Sequence, residues 1–221
     1  EFTSLMAIFA VAAFVLVSYT VIVSGAVGPT PGDTTAIEIA ERLRAGWLTD
    51  LAKAFTHLGS AAVTGLLVFT SAALLIARRR WAEVGVLLAG VVLIFAGVHE
   101  IKAAVDRPRP DGGLIDVSGS SFPSAHAAYS TFYVWLAVTI VMRLRPGMAR
   151  GAAVVVTGIA LTALVGLSRV YLNVHYLSDV SAGWALGAAS FALCAAVALT
   201  ITTVRQNGRG VVAASAGEDR E

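Results

Sequence analysis

Two residues with complementary chemistry stand four positions apart late in the chain. On a helix, the i,i+4 spacing of His175 and Asp179 puts them on one face, where the carboxylate can bond one imidazole nitrogen. Such a bond fixes the imidazole tautomer and leaves the other nitrogen as a nucleophile. A purely structural His–Asp pair would have the same spacing. The pair therefore indicates nucleophilic chemistry only together with other groups.

A second polar segment, Lys102–Pro110, carries several cations. Its two prolines end the preceding helical pattern, so Lys102 and Arg109 can point into one pocket. Two fixed cations suit a phosphate, because Arg binds two oxygens through its planar fork while Lys acts as a point charge. The alternative is that both side chains reach toward lipid headgroups. Asp106 and Arg107 are predicted to form a local salt bridge beside this pocket.

A third polar segment, Ser120–His126, stands directly before an apolar stretch. Ser124 is a candidate N-cap, and backbone N–H groups at a helix N-terminus bind anions. His126 in the first turn can pass a proton to a group bound there. A capped helix with an interfacial histidine is the alternative interpretation.

The composition indicates that these polar segments belong to a membrane protein. Of 221 residues, 57% are hydrophobic and 14% charged, and the mean hydropathy is +0.79, which is too apolar for an ordinary soluble domain. A net charge of +2 and a pI near 9.0 could suit nucleic acid. The basic residues instead fall between apolar runs, so no nucleic-acid partner is expected. The single cysteine excludes an internal disulfide and a CxxC site.

Apolar stretches long enough to cross a bilayer predict an all-α fold, a bundle of six transmembrane helices. They are Leu5–Val27, Leu58–Ala77, Val84–Ala104, Ala125–Met142, Gly151–Leu167 and Val180–Val204. Helical spacing over Thr34–Leu48 predicts a short interfacial helix between the first and second spans. We expect residues 5–204 to form a single membrane domain and residues 205–221 to form a disordered cytoplasmic tail.

The distribution of Lys and Arg predicts the orientation of the bundle. With both termini in the cytoplasm, nine basic residues lie on the cytoplasmic side and seven on the outer side. Four of those seven cluster with other polar residues at the ends of spans, as an anion site requires. Without those four, nine basic residues on the cytoplasmic side compare with three on the outer side, which favours cytoplasmic termini. In this orientation, all three polar segments emerge on the extracytoplasmic face of the plasma (inner) membrane.

Taken together, the segments resemble the type 2 phosphatidic acid phosphatases, or lipid phosphate phosphatases, which share their site with vanadium haloperoxidases. The family's first motif, Lys, six residues, Arg-Pro, is matched by Lys102, Arg109 and Pro110. Its Pro-Ser-Gly-His motif is matched except that Ala125 replaces Gly. Its third motif, Ser-Arg, five residues, His, three residues, Asp, is matched in full, beginning at Ser168. The motifs cover residues 102 to 179 in the family's order.

The resemblance implies a mechanism and a set of roles. His175 would attack phosphorus and form a phosphohistidine, with Asp179 orienting it and His126 protonating the leaving oxygen. The implied phosphate-binding residues are Lys102, Arg109, Ser124, Ala125 and Arg169. Neither a metal nor another cofactor is expected, because cationic side chains supply the charge.

The predicted function is therefore that of a membrane lipid phosphate or diphosphate phosphatase. Undecaprenyl diphosphate, phosphatidic acid and phosphatidylglycerol phosphate are candidate substrates by family analogy. A lipid phosphotransferase would use the same motifs, with an acceptor other than water. A non-enzymatic phosphate-binding membrane protein is the third alternative.

Overall fold

A computed structural model of the chain describes residues 2–25 and 28–218, with side chains described as far as residue 206. Within these residues the chain forms eight α-helices and no strand, which confirms the all-α prediction. The helices are α1 Phe2–Gly25, α2 Pro31–Arg42, α3 Gly46–Leu58, α4 Ala61–Ala77, α5 Trp81–Val105, α6 Ala125–Leu144, α7 Met148–Tyr171 and α8 Leu177–Glu218.

Five helices in the described part of the chain, α1, α5, α6, α7 and α8, are long and apolar enough to cross a membrane. A sixth span is present only if α3 and α4, which meet at a bend of 43°, are counted as one. The predicted second span, Leu58–Ala77, is therefore interrupted near its start. Gly59 ends α3, and Ser60 caps α4 by accepting a hydrogen bond from the Val63 N–H at 3.3 Å.

The single interfacial helix predicted over Thr34–Leu48 is wrong in detail, because two helices, α2 and α3, occupy this region. At the break between them the Ala45 N–H donates to the Tyr171 hydroxyl at 3.1 Å instead of to a helical carbonyl. The partner is 126 residues away. The apolar spacing continues across the break, so local periodicity does not reveal it.

The disordered cytoplasmic tail expected over residues 205–221 stays a prediction. Helix α8 continues from the membrane-spanning region to Glu218, and residues 219–221 lie outside the described residues. Extending an existing helix avoids the cost of nucleation, so an Ala- and Arg-containing segment can remain helical there. The single domain over 5–204 stays a prediction.

Helix α8 packs against α1, α5 and α6 and occupies the centre of the bundle. Two glycines permit its close approach to α6. A Cβ on Gly183 would lie 2.5 Å from the Ser124 carbonyl oxygen, and one on Gly187 would lie 2.2 Å from Thr131 Oγ1. Small residues at helix contacts allow backbones to approach in this way. The N-termini of α6 and α8 are thereby brought together.

Candidate active site

The structure places all the predicted site residues at one end of the helix bundle. Each lies at or just beyond the end of a helix, where an element leaves the apolar core. Their positions are Lys102 in the last turn of α5, Arg109 in the α5–α6 connection, Ser124, Ala125 and His126 at the start of α6, Arg169 in the last turn of α7, His175 in the α7–α8 connection and Asp179 in the first turn of α8.

His175 lies between a carboxylate and a guanidinium. Its Nδ1 is 3.4 Å from Asp179 Oδ2, and its Nε2 is 3.2 Å from Arg109 Nη1. The Nδ1 contact does not have hydrogen-bond geometry, and Nδ1 has no other partner among the described residues. The expected shared helical face is wrong, because α8 begins only at Leu177. The two side chains nevertheless meet, and Nε2 is the nitrogen that faces the cations.

Burial controls the charge of the His175 imidazole. The side chain is only 3% exposed, and this desolvation lowers its pKa to about 4, although the nearby Asp179 carboxylate opposes the effect. Arg169 and Arg109 act in the same direction as burial. The imidazole is therefore neutral at neutral pH, which is the form that can act as a nucleophile.

Arg109 joins the α5–α6 connection to the residue that precedes the histidine. Its Nε donates to the Gly119 carbonyl at 3.0 Å, and its Nη1 donates to the Val174 carbonyl at 2.7 Å. Burial lowers the pKa of Arg109, while the charge of Asp179 raises it. An arginine remains charged despite such a shift. Arg109 thus presents a fixed positive charge beside His175.

Two further cations complete the arrangement. Lys102 donates to the Ser120 carbonyl and lies within electrostatic range of Arg109 and Arg169. Arg169 is 2% exposed, and its Nη1 donates to Thr56 Oγ1 at 2.7 Å. Its buried Nε has no hydrogen-bond partner among the described residues. An unpaired buried donor is costly, so this guanidinium is suited to an anionic ligand.

The start of α6 supplies the third part of the site. Ser124 is fully buried and caps the helix, its hydroxyl accepting from the Ala127 N–H at 3.5 Å. The Ser124 N–H donates to the Asp179 carbonyl at 2.9 Å, which holds the two helix ends together. Ala125 and His126 are half-buried. His126 lies within electrostatic range of both Arg169 and His175.

The predicted salt bridge between Asp106 and Arg107 is wrong. Asp106 is exposed and adopts a left-handed conformation with φ of 42° as α5 ends, which turns it away. Arg107 is instead 4% exposed and donates to Asp179 Oδ1 at 2.6 Å and to Asp33 Oδ2 at 3.1 Å. Asp33 is 74 residues earlier in the chain. No local pattern indicates that pairing, so the sequence predicted the wrong partner for Arg107 and did not single out Asp33.

Thr56 was missed for a related reason. It belongs to α3, 113 residues before the arginine that it holds, and nothing near it in the sequence carries a phosphate-binding pattern. Within the described ranges, no group of three His, Cys, Asp or Glu side chains is placed to hold a metal ion. The charge near His175 comes from Lys102, Arg109 and Arg169, an arrangement that complements a tetrahedral oxyanion.

A family model described as the PAP2 superfamily matches residues 83–203. This segment contains every predicted site residue from Lys102 to Asp179. Phosphatidylglycerophosphatase B of Bacillus subtilis is 32% identical over 167 residues, which cover 73% of this chain and 80% of that protein. Decaprenylphosphoryl-5-phosphoribose phosphatase of Mycobacterium tuberculosis is 37% identical over 144 residues, covering 62% and 73% respectively.

Solved structures show the same architecture. The crystal structure of a transmembrane PAP2 type phosphatidylglycerolphosphate phosphatase from Bacillus subtilis superposes with a TM-score of 0.71 and 28% identity, covering 81% of this chain and 92% of that one. LpxE of Aquifex aeolicus, at 22% identity and a TM-score of 0.57, shares the fold. Since the family model spans more than half of the chain and includes the complete polar constellation, this protein belongs to the PAP2 superfamily.

Proposed function

We propose that this integral membrane protein is a lipid phosphatase that hydrolyses a phosphomonoester or pyrophosphate of a lipid through a phosphohistidine. One observation carries the proposal. The neutral, buried His175 has Nδ1 beside Asp179 and Nε2 beside Arg109, with the unpaired Nε of Arg169 in the same site. The apolar helices and the lipid phosphatases among its relatives support membrane residence and the class of reaction.

In the first proposed step, Nε2 of His175 attacks phosphorus. The new N–P bond forms as the bond from phosphorus to the leaving oxygen breaks, and His126 gives its proton to that oxygen. Asp179 stabilises the positive charge that develops on the imidazole. In the second step, water loses a proton to His126 and attacks phosphorus, which releases inorganic phosphate and restores the free imidazole.

The cations have a separate role in this mechanism. Lys102, Arg109 and Arg169 would hold the non-bridging oxygens, and the start of α6 at Ser124 and Ala125 would add backbone N–H groups. Phosphoryl transfer depends mainly on positioning and on stabilising charge in the transition state. These side chains would supply that charge without a metal ion.

The identity of the lipid substrate is a more specific part of the proposal. Relatives named for phosphatidylglycerophosphate and decaprenylphosphoryl-5-phosphoribose act on lipids of different kinds. Phosphatidylglycerol phosphate, phosphatidic acid and undecaprenyl diphosphate are the candidates to test. The excess of Arg at the opposite end of the bundle favours a site on the extracytoplasmic face.

Phosphate release from these three lipids in detergent, with EDTA present, tests the proposal. We expect turnover by the unaltered chain and loss of at least about 1,000-fold in His175→Gln, since a nucleophile is removed. His99→Gln is the matched control, because His99 is exposed on α5. Equal activity of both variants would refute a histidine nucleophile. Lipid dephosphorylation without free phosphate would instead indicate transfer to another acceptor.

A further inference from the structure

Three charged side chains form a buried network behind the candidate nucleophile. Arg107 is 4% exposed, while Asp33 and Asp179 are fully buried. The Nη1 group of Arg107 donates to Asp179 Oδ1 at 2.6 Å, and its Nη2 group donates to Asp33 Oδ2 at 3.1 Å. One guanidinium therefore bridges carboxylates from α2 and α8. The planar guanidinium presents its donors in a rigid fork, so each carboxylate is held by a separate nitrogen in a fixed direction.

Asp33 also ties the start of α2 to the start of α8. Its Oδ1 accepts from the Ser178 N–H at 2.7 Å, and its Oδ2 accepts from the Ser178 hydroxyl at 2.8 Å. The Thr30 N–H donates to the same carboxylate at 2.9 Å, within the capping box of α2. Backbone hydrogen bonds hold the pKa of Asp33 below its usual value, although burial acts to raise it. Asp33 is thus an ionised anchor for Arg107.

The network determines how the Asp179 carboxylate is oriented. Arg107 occupies Oδ1, and the Tyr176 N–H donates to Oδ2 at 2.8 Å. With one donor on each oxygen, the carboxylate plane cannot rotate freely. Oδ2 is left 3.4 Å from Nδ1 of His175. The orientation of the nucleophile therefore depends on Arg107, which occupies an unspecified position of the first motif, and on Asp33, which lies outside all three motifs.

The charge of the network also suits the reaction. Asp33 and Asp179 contribute two negative charges and Arg107 one positive charge, so the buried group has a net charge of −1. Arg109 faces the other nitrogen of His175, Nε2, so this negative charge lies on the Nδ1 side of the ring. The positive charge that develops on His175 as it attacks phosphorus would neutralise it. The network thus favours the charged state of the imidazole that the reaction creates.

We propose that Arg107 and Asp33 are positioning residues for the Asp179–His175 pair, so that docking of α2 determines the orientation of the nucleophile. This inference rests on the proposed function. Neither residue touches the phosphate in the proposed mechanism. Both act through Asp179.

Steady-state kinetics of Asp33→Asn and Arg107→Lys test the proposal. We expect kcat to fall at least about 10-fold while KM changes less than about two-fold, because the chemical step is affected and substrate binding is not. Glu38→Gln is the matched control for charge removal on α2. Glu38 is exposed and contacts only Arg42, at 3.9 Å, among the charged residues that the structure describes. The kcat of the Glu38→Gln variant should equal that of the unaltered chain.

A double-mutant cycle separates positioning from a general structural role. In an Asp179→Asn background, Arg107→Lys should lower kcat less than about two-fold, because Arg107 acts through the carboxylate that is already lost. Equal losses in both backgrounds would overturn the inference. Thermal unfolding of each variant identifies losses that arise from misfolding.

A measurement that needs no turnover covers the case in which the chain releases no phosphate. NMR of ¹⁵N-histidine in detergent follows the titration of His175, one of four histidines, assigned with His175→Gln. The charged or titratable groups around it are Asp179, Arg109, Arg169 and His126. Arg107→Met should raise the pKa of His175 above about 4, since Asp179 loses its balancing cation.

Each outcome of this titration is decisive. An unchanged pKa in folded Arg107→Met would overturn the inference even if the protein proves to be a phosphatase. If Arg107→Met does not fold, Asp33→Asn provides the test. Arg107 would then neutralise Asp179 alone, so the pKa of His175 should fall, and an unchanged or raised pKa would contradict the network. Absence of turnover in the unaltered chain would refute the proposed function alone.

Discussion

At the scale of single residues, some polar groups of the site have hydrogen-bond partners and others do not. Asp179 is paired by Arg107 at 2.6 Å, while Nδ1 of His175 and Nε of Arg169 have no hydrogen-bond partner among the residues described. Buried groups left in this condition are expected where a ligand or a reaction completes them. An oxyanion beside Nε2 would supply a partner for Nε of Arg169, whereas Nδ1 of His175 has only Asp179 nearby, at 3.4 Å.

The low pKa of His175 predicts the pH dependence of activity. We expect the acid limb of kcat/KM to lie near pH 4, since the free imidazole becomes protonated and loses its nucleophilicity only there. The measurement covers pH 3.5 to 8 and is corrected for the second ionisation of the substrate phosphate, near pH 6. An acid limb near pH 6.5 would show that His175 titrates like an exposed histidine.

The same pKa predicts the pH dependence of stability. An unfolded chain binds a proton at His175 below about pH 6.5, whereas the folded chain resists protonation until about pH 4. The unfolded state therefore binds more protons in this interval, and His175 makes the folded chain less stable as the pH falls through it. Thermal unfolding of the parent and of His175→Gln should diverge between these pH values. Parallel curves would contradict the assignment.

Thr56 is expected to affect substrate binding through Arg169. Thr56→Val removes the acceptor at 2.7 Å from Nη1. Because a hydrogen bond to a charged group contributes about 1.5–3 kcal/mol, kcat/KM should fall roughly 10- to 100-fold. Thr56→Ser keeps the hydroxyl and should retain most activity. If valine and serine behave alike, Arg169 does not depend on this contact.

At the scale of elements, the site is assembled from the ends of helices that are distant in sequence. Helix α8 supplies Asp179, α6 supplies Ser124 and His126, and their N-termini meet because Gly183 on α8 has no side chain. The short helices α2 and α3 add Asp33 and Thr56 from the side. These two helices therefore contribute contacts to the candidate site in addition to connecting α1 and α4.

Gly183→Ala tests the close approach of α8 and α6. The added Cβ would lie 2.5 Å from the Ser124 carbonyl oxygen and 3.0 Å from the Ala127 Cβ. Overpacking of this kind costs about 1–3 kcal/mol, so the melting temperature and kcat should both fall. Gly65→Ala on α4 is the control, because nothing lies within 4 Å of its added Cβ. Equal melting temperatures for the two variants would refute the tight contact.

At the scale of the whole molecule, the polar site lies at one end of a bundle whose other end is rich in Arg. Arg143, on α6, lies within electrostatic range of Arg80 and Arg145 at that opposite end. Cytoplasmic ends of membrane proteins are enriched in such residues. This distribution is the basis of the proposed orientation, with both termini in the cytoplasm and the site outside.

Cysteine labelling in intact cells tests that orientation. In a Cys194→Ala background, an impermeant thiol reagent should label Asp116→Cys, in the exposed α5–α6 connection. It should not label Met148→Cys, which is 91% exposed at the other end, until the membrane is permeabilised. The reverse pattern would place the site on the cytoplasmic side and contradict the proposal.

The helical class, the approximate spans and the three segments that meet at one end could be predicted from the amino-acid sequence. These features depend on local signals. Long apolar stretches indicate membrane-spanning helices, and the prolines after α5 indicate that a helix has ended. Ser124 caps α6 through a neighbouring N–H group, so this signal does not depend on distant residues. Because successive spans cross the bilayer in alternate directions, the order of the segments is sufficient to predict that they share a face.

The contacts that support the site became visible only once the helices were packed together. The contacts of Arg107 with Asp33 and of Arg169 with Thr56 join residues 74 and 113 positions apart. The break before α3 likewise depends on a distant partner, the Tyr171 hydroxyl. Such pairings leave no periodicity in the sequence, because each follows from how the helices pack. The grouping of charged residues around His175 was therefore predictable from local pattern, whereas the contacts that support it were not.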